Sequence, residues 1–153
     1  MKKLLAHIIE ENIQFAQKLN VALQRTNIYE TRVFASASSY QNYMGNRPDL
    51  LVMDHEVKYA APSLKREDIG KSSQKILVLK DNNLTNPITA YEYVLKDEFA
   101  VEKIEKIAGG YANVAKIKEE NQALTKVIKM EKNLIIWTAT IIISLFYATF
   151  LIQ

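Results

Sequence analysis

The residues best suited to chemistry in this chain are carboxylates and lysines, and each set follows a short apolar run. Glu10-Glu11 follow KLLAHII, Asp54 ends DLLVMD, Lys80-Asp81 follow KILVL, and Lys96-Asp97 follow YVL. Clustered carboxylates can hold a hard divalent cation through oxygen, and a lysine beside them can neutralise a bound phosphoryl group. Other chemistries are poorly served. Cysteine is absent, which removes thiolate catalysis, disulfides and Cys-ligated metals. His7 and His55 lie far apart and lack zinc-ligand spacing. The Gly109-Gly110 pair follows a helical pattern rather than a strand, so no glycine-rich phosphate loop is expected. Ser72-Ser73 and His55 form no recognisable hydrolytic triad spacing.

These residues matter together only if the elements before them share one edge. The first 110 residues alternate two patterns. Strands are expected at Lys3–Ile9, Thr31–Ala37, Asp49–Asp54, Lys75–Leu79 and Tyr93–Lys96. The continuously apolar DLLVMD and KILVL read as strands buried on both faces. Helical spacing runs through Asn12–Gln24, where Ile13, Ala16, Leu19 or Asn20, and Leu23 share a face, and through Phe99–Ala108. Weaker helical signals lie at Ser39–Met44 and, after Pro87, at Thr85–Tyr91. Val57–Gly70 is ambiguous and broken by Pro62, and Gly109-Gly110 is expected to end or hinge the last helix of the domain. Five strands alternating with helices predict an α/β fold: a five-stranded parallel sheet, doubly wound, covered on both faces. In such folds sites form at the carboxyl ends of the strands. That is where Glu10, Glu11, Asp54, Lys80 and Lys96 fall.

With those residues in that order, residues 1–110 resemble the receiver domain of bacterial response regulators. The resemblance places the family's Mg²⁺-binding acidic pair on Glu10 and Glu11 in HIIEEN, its phosphoacceptor on Asp54 in PDLLVMD, and its lysine on Lys96 in YEYVLKDEF. Pro48-Asp49 before the third strand fits the same pattern. The departures are specific. The acidic pair is Glu rather than Asp, Lys80 stands where the family has a Ser or Thr switch hydroxyl, and Asp97 rather than Pro follows Lys96. The Met-Pro and Gly that follow the phosphoacceptor in the family are missing from DHEVKYAAPS. An ammonium at position 80 is expected to pair with Asp54 and to leave no hydroxyl for coupling phosphorylation to rearrangement. The expectation is therefore a degenerate, non-catalytic pseudo-receiver. It needs no cofactor, and Mg²⁺ enters only if the site is active.

Beyond Gly110 the chain changes character. Tyr111–Asn133 holds no Gly or Pro, and Val114, Ile117, Asn121, Leu124 and Ile128 alternate at spacings of three and four, a heptad seam with Asn121 at an a position. Residues 111–133 are expected to form a helical stalk able to pair in parallel with a second copy, or else to stand as a monomeric amphipathic helix. Leu134–Gln153 carries no charged side chain. At about 1.5 Å per residue such a run crosses the roughly 30 Å apolar layer of a bilayer, so residues 134–152 are expected to be a transmembrane helix. Lys116, Lys118, Lys126, Lys129 and Lys132 precede it and no basic residue follows, which predicts a tail-anchored topology with the N-terminus in the cytoplasm. Trp137 and Tyr147 sit near its two ends, as interfacial aromatics do. Lys2-Lys3 give a basic start, but His7, Glu10 and Glu11 interrupt any signal-peptide apolar core.

The net charge of the 153-residue chain is only +3. Its basic residues gather before the span rather than among aromatics, which suits anionic lipid and argues against nucleic acid. The resulting expectation is a module at the inner face of a bacterial cytoplasmic membrane that docks a cytoplasmic protein of a secretion, pilus, envelope or signalling system. An active phosphoreceiver using Asp54, and a purely structural membrane dimer, are the alternatives.

Overall fold

The computed structural model describes residues 3–43, 45–56, 74–81 and 92–151. The chain divides into two compact units, Met1–Ala112 and Asn113–Gln153.

The first unit is built on five strands: β1 (Leu4–Ile9), β2 (Tyr29–Phe34), β3 (Leu50–Asp54), β4 (Gln74–Leu79) and β5 (Glu92–Leu95). All neighbouring pairs are parallel, in the order β2-β1-β3-β4-β5. The order reverses at β1 and β3, so the crevice at their carboxyl ends is the topological switch point. Side chains alternate across the sheet. Ala6, Ile8, Leu50, Val52, Ile76, Val78 and Val94 face one buried cluster. Ile9, Leu51, Met53 and Leu77 face another. Helix α1 (Ile13–Arg25) and the start of the last helix, α3 (Ala100–Leu151), cover the first cluster through Leu19, Leu23, Ala100, Ile104, Ala108 and Ala112. Helix α2 (Ala37–Gln41) covers part of the second through Ala37 and Tyr40. The expected parallel, doubly wound sheet is therefore present.

Local chemistry fixes the boundaries. Asn12 caps α1, its side chain accepting the N–H of Phe15 at 3.1 Å. Asn27 adopts φ 56°, the left-handed conformation that Asn tolerates, and turns the chain into β2. The second strand lies earlier than Thr31–Ala37. Tyr29 is buried and anchors its start, and Ser36 ends the run by forming a capping box with Ser39 at the head of α2. For the same reason the weak helix begins at Ala37 rather than Ser39. The signals at Thr85–Tyr91 and Val57–Gly70, and Ser72-Ser73, fall outside the described residues.

The expected break at Gly109-Gly110 is absent, because α3 passes through both glycines without interruption. Two facts account for this. Ala100, Ile104, Ala108 and Ala112 form a buried stripe at four-residue spacing that holds this stretch helical on the sheet. The hydroxyl of Tyr29 also donates to the Ala108 carbonyl at 2.7 Å, on the turn just before the glycines. Beyond Ala112 every described α3 residue is exposed. The charge-free stretch from Leu134 belongs to this part and makes α3 a candidate membrane span, with none of its apolar window buried.

Candidate functional site

The carboxyl ends of β1, β3 and β5 bring three of the expected residues into direct contact. Glu10 follows β1, Asp54 ends β3 and Lys96 follows β5. The Lys96 ammonium donates to both carboxylate oxygens of Glu10, each at 2.8 Å, and to Oδ2 of Asp54 at 3.2 Å. The two acids are almost wholly buried, Glu10 at 3% and Asp54 at 5% relative exposure. Buried charges persist when they are paired and fully hydrogen-bonded, and this cluster meets that condition. Oε1 of Glu10 also accepts the N–H of Asn12 at 2.8 Å, and Oδ1 of Asp54 accepts the N–H of Glu56 at 2.9 Å. Lys96 further lies 4.9 Å from the ring centre of Phe15, a cation–π contact on the α1 side. Backbone geometry delivers it there: its N–H donates to the Leu79 carbonyl at 2.7 Å, extending the β4–β5 pairing by one residue.

The other expected residues lie around this centre. Glu11, Asn12, Glu56 and Lys80 line the same cavity of about 320 Å³ as Glu10, Asp54 and Lys96. Glu11 is exposed and forms no ion pair among the described residues. Lys80 does occupy the position immediately after β4, but its partner differs from the expected one. Its ammonium pairs with Glu56, not Asp54, because Lys96 already holds Asp54 from β5. That hydrogen bond from Lys80 to Glu56 raises the Lys80 pKa above its ordinary value. Asp97 turns away from the cluster to the head of α3, where it accepts the N–H of Phe99 at 3.0 Å and the Lys103 ammonium at 2.6 Å. The Lys103 hydrogen bond lowers its pKa.

Each of the four carboxylate oxygens of Glu10 and Asp54 already accepts a hydrogen bond, and a primary ammonium sits between the two groups. Among the described residues no three His, Cys, Asp or Glu side chains gather as a metal-ligand set.

Sequence reasoning set His7 aside as one of two separated histidines, yet the structure makes it central. It is 1% exposed on the second face of β1. The rings of Phe34, Tyr40 and Tyr43 pack edge-on around it, with centroids 5.2, 5.6 and 5.4 Å away. Neither ring nitrogen has a hydrogen-bond partner among the described residues. Burial, aided by the nearby Arg32 charge, lowers its pKa from 6.5 to about 4. The alternation in LLAHII would have placed His7 inward with Ile9, but nothing local in the sequence names the rings that enclose it.

The seam residues Val114, Ile117, Asn121, Leu124 and Ile128 all lie exposed in the second unit, with Leu124 at 59% and Val114 at 63% relative exposure.

Comparison with known proteins identifies the fold. No protein-family model matches the chain, and no curated protein does. Among solved structures, the receiver domain of the Francisella response regulator 1452 superposes with a TM-score of 0.60 at 14% identity, covering 74% of this chain and 99% of that one. The chemotaxis response regulator CheY4 of Vibrio cholerae gives a TM-score of 0.57 at 14% identity, covering 72% and 99%. A fusion protein carrying a trimeric coiled coil of yeast Spc42 gives 0.64 at 17% identity, covering 93% and 98%. At these identities the likeness is one of fold: the chain carries the response-regulator receiver (CheY-like) fold followed by a long apolar helix.

Proposed function

We propose that this protein is a membrane-anchored pseudo-receiver, a non-catalytic module that docks a cytoplasmic protein at the inner face of a bacterial cytoplasmic membrane. The observation that carries the reading is Lys80. The position directly after β4 holds an ammonium turned to Glu56 where the receivers it resembles carry a hydroxyl. Held by Glu56, that ammonium is not paired with Asp54, which supports the reading that it does not take the hydroxyl's part in coupling an acyl phosphate on Asp54 to a shift of the β4 end. The Lys96 bridge supports the same reading, since it satisfies Asp54 without a phosphoryl group or a metal.

The rest of the chain suits a tether. The five lysines before Leu134 favour a cytoplasmic N-terminus and contact with anionic lipid headgroups. The exposed seam from Val114 to Ile128 suits a parallel pair of stalks, and confinement of both chains to one membrane raises their effective concentration. The recognised partner belongs to the machinery that such tethered modules serve: a secretion, pilus or envelope assembly, or a signalling protein.

The test exposes the full chain in nanodiscs to Mg²⁺ and beryllofluoride and follows the amide spectrum. Wild type is expected to show no change at Asp54 and its neighbours. Localised shifts at Glu10, Asp54 and Lys96 would instead establish the active phosphoreceiver. Site-specific photocrosslinking in native membranes, with and without the stalk substitutions below, then separates docking from a purely structural dimer.

A further inference from the structure

We propose that the Lys96 ammonium is the resident cation of the β1–β3–β5 site, and that it closes the site to divalent ions. This deepens the closed-site part of the functional reading. Its test counts bound cation rather than captured partner or phosphate, so either can fail alone.

The charge balance favours the ammonium. Glu10 and Asp54 together carry two negative charges in an almost fully buried setting, and Lys96 offsets one of them by contacts of 2.8, 2.8 and 3.2 Å. A divalent ion placed among the same oxygens would sit within a few ångströms of that ammonium, in a setting where repulsion is poorly screened. It would also have to displace the backbone N–H groups of Asn12 and Glu56 or share oxygens with them. Expelling Lys96 is no easier. Its side chain is only 16% exposed, its head lies over the Phe15 ring, and its backbone N–H donates to the Leu79 carbonyl. Glu56, the nearest other acid after β3, is taken by Lys80. The ammonium therefore does permanently what a metal ion would do on demand, which is to hold the ends of β1, β3 and β5 together.

The same geometry implies that Lys96 alone hides a cation site. With a neutral side chain at position 96, the Glu10 and Asp54 carboxylates would have no cation, and Glu11 lines the same cavity as a third oxygen donor. Two or three carboxylates with water completing the shell are a sufficient donor set for a hard divalent ion.

The experiment titrates Mn²⁺ into the full chain in zwitterionic nanodiscs and counts free ion by electron paramagnetic resonance. Wild type and Lys96→Arg, which keeps a cation in place, are expected to show no saturable site at millimolar Mn²⁺. Lys96→Met and Lys96→Gln are expected to bind at least about tenfold more tightly than wild type, and the gain should vanish when Glu10→Gln is added. A neutral variant that unfolds by circular dichroism should refold on Mn²⁺ addition, because an ion that binds only the folded state stabilises it. Saturable binding by wild type that is lost in Glu10→Gln would overturn the proposal. So would neutral variants that neither gain binding nor refold with metal.

Discussion

Replacing His7 by Leu is expected to leave the protein as stable or more stable at pH 7 and to remove part of its acid sensitivity. The ring is 1% exposed, three aromatic rings pack edge-on around it, and neither nitrogen has a hydrogen-bond partner among the described residues. Leaving a buried polar group unpaired costs about 1–3 kcal/mol, a penalty that a leucine of similar volume does not carry. The pH dependence follows from linkage. The folded-state pKa is about 4 against 6.5 for the free side chain, so between these values the unfolded chain binds the extra proton. Stability is full above pH 6.5, falls as pH drops below it, and the loss is complete below about pH 4. At about 1.4 kcal/mol per pH unit across that interval, the His7 contribution amounts to roughly 3 kcal/mol. The assay is urea denaturation of both full-length proteins in zwitterionic micelles, read by circular dichroism from pH 7 to pH 4. The difference between them isolates His7, since His55 and the carboxylates are common to both. The reasoning fails if the two proteins lose stability in parallel across that range. It fails equally if the leucine variant is destabilised by more than about 2 kcal/mol at pH 7, because His7 must then hold a polar partner.

Four further outcomes are expected. Lys96→Met leaves two buried carboxylates without their cation and should cost about 3–5 kcal/mol in metal-free buffer, measured by urea denaturation. Tyr29→Phe removes the buried donor to the Ala108 carbonyl and should cost about 1–3 kcal/mol, read by thermal melting. Its phenol is held at a pKa of about 12 by burial, then by Asp49 and Tyr111, so absorbance titration should show one late-ionising tyrosine fewer in the variant than in wild type. Gly109→Ala and Gly110→Ala put a methyl group into open space within a continuous helix, and each should stabilise by up to about 1 kcal/mol, whereas a hinge at these residues would make them disruptive. Leu124→Glu with Ile128→Glu should abolish disulfide trapping of paired chains through an engineered Cys at position 121, and persistence of that crosslink would refute the seam.

Much of the architecture was written in short-range pattern. The continuous apolar runs of β3 and β4 require burial on both faces, and their alternation with helical segments requires parallel crossovers, so the sheet was legible without coordinates. The residues at the strand ends were legible for the same reason, since the fold sends the carboxyl ends of all strands to one edge. The long charge-free stretch from Leu134 was legible as a candidate span because span length is set by bilayer thickness.

Other features depend on which groups meet across the fold. Sequence order placed both Lys80 and Lys96 near Asp54, but only the position of β5 beside β4 shows that Lys96 reaches across to Glu10 and Asp54 while Lys80 turns to Glu56. Local propensity ends a helix at Gly109-Gly110. The buried alanine stripe and the Tyr29 hydroxyl, supplied from 79 residues away, override it. His7 carries no signal of its own, and its enclosure arises because β2, paired beside β1, brings Phe34, while α2 and the residues just after it bring Tyr40 and Tyr43. Local periodicity along the chain carried the sheet, the stalk pattern and the apolar tail. Tertiary structure decided the partners of each charge and each buried polar group, because these depend on contacts between residues tens of positions apart that no local pattern encodes.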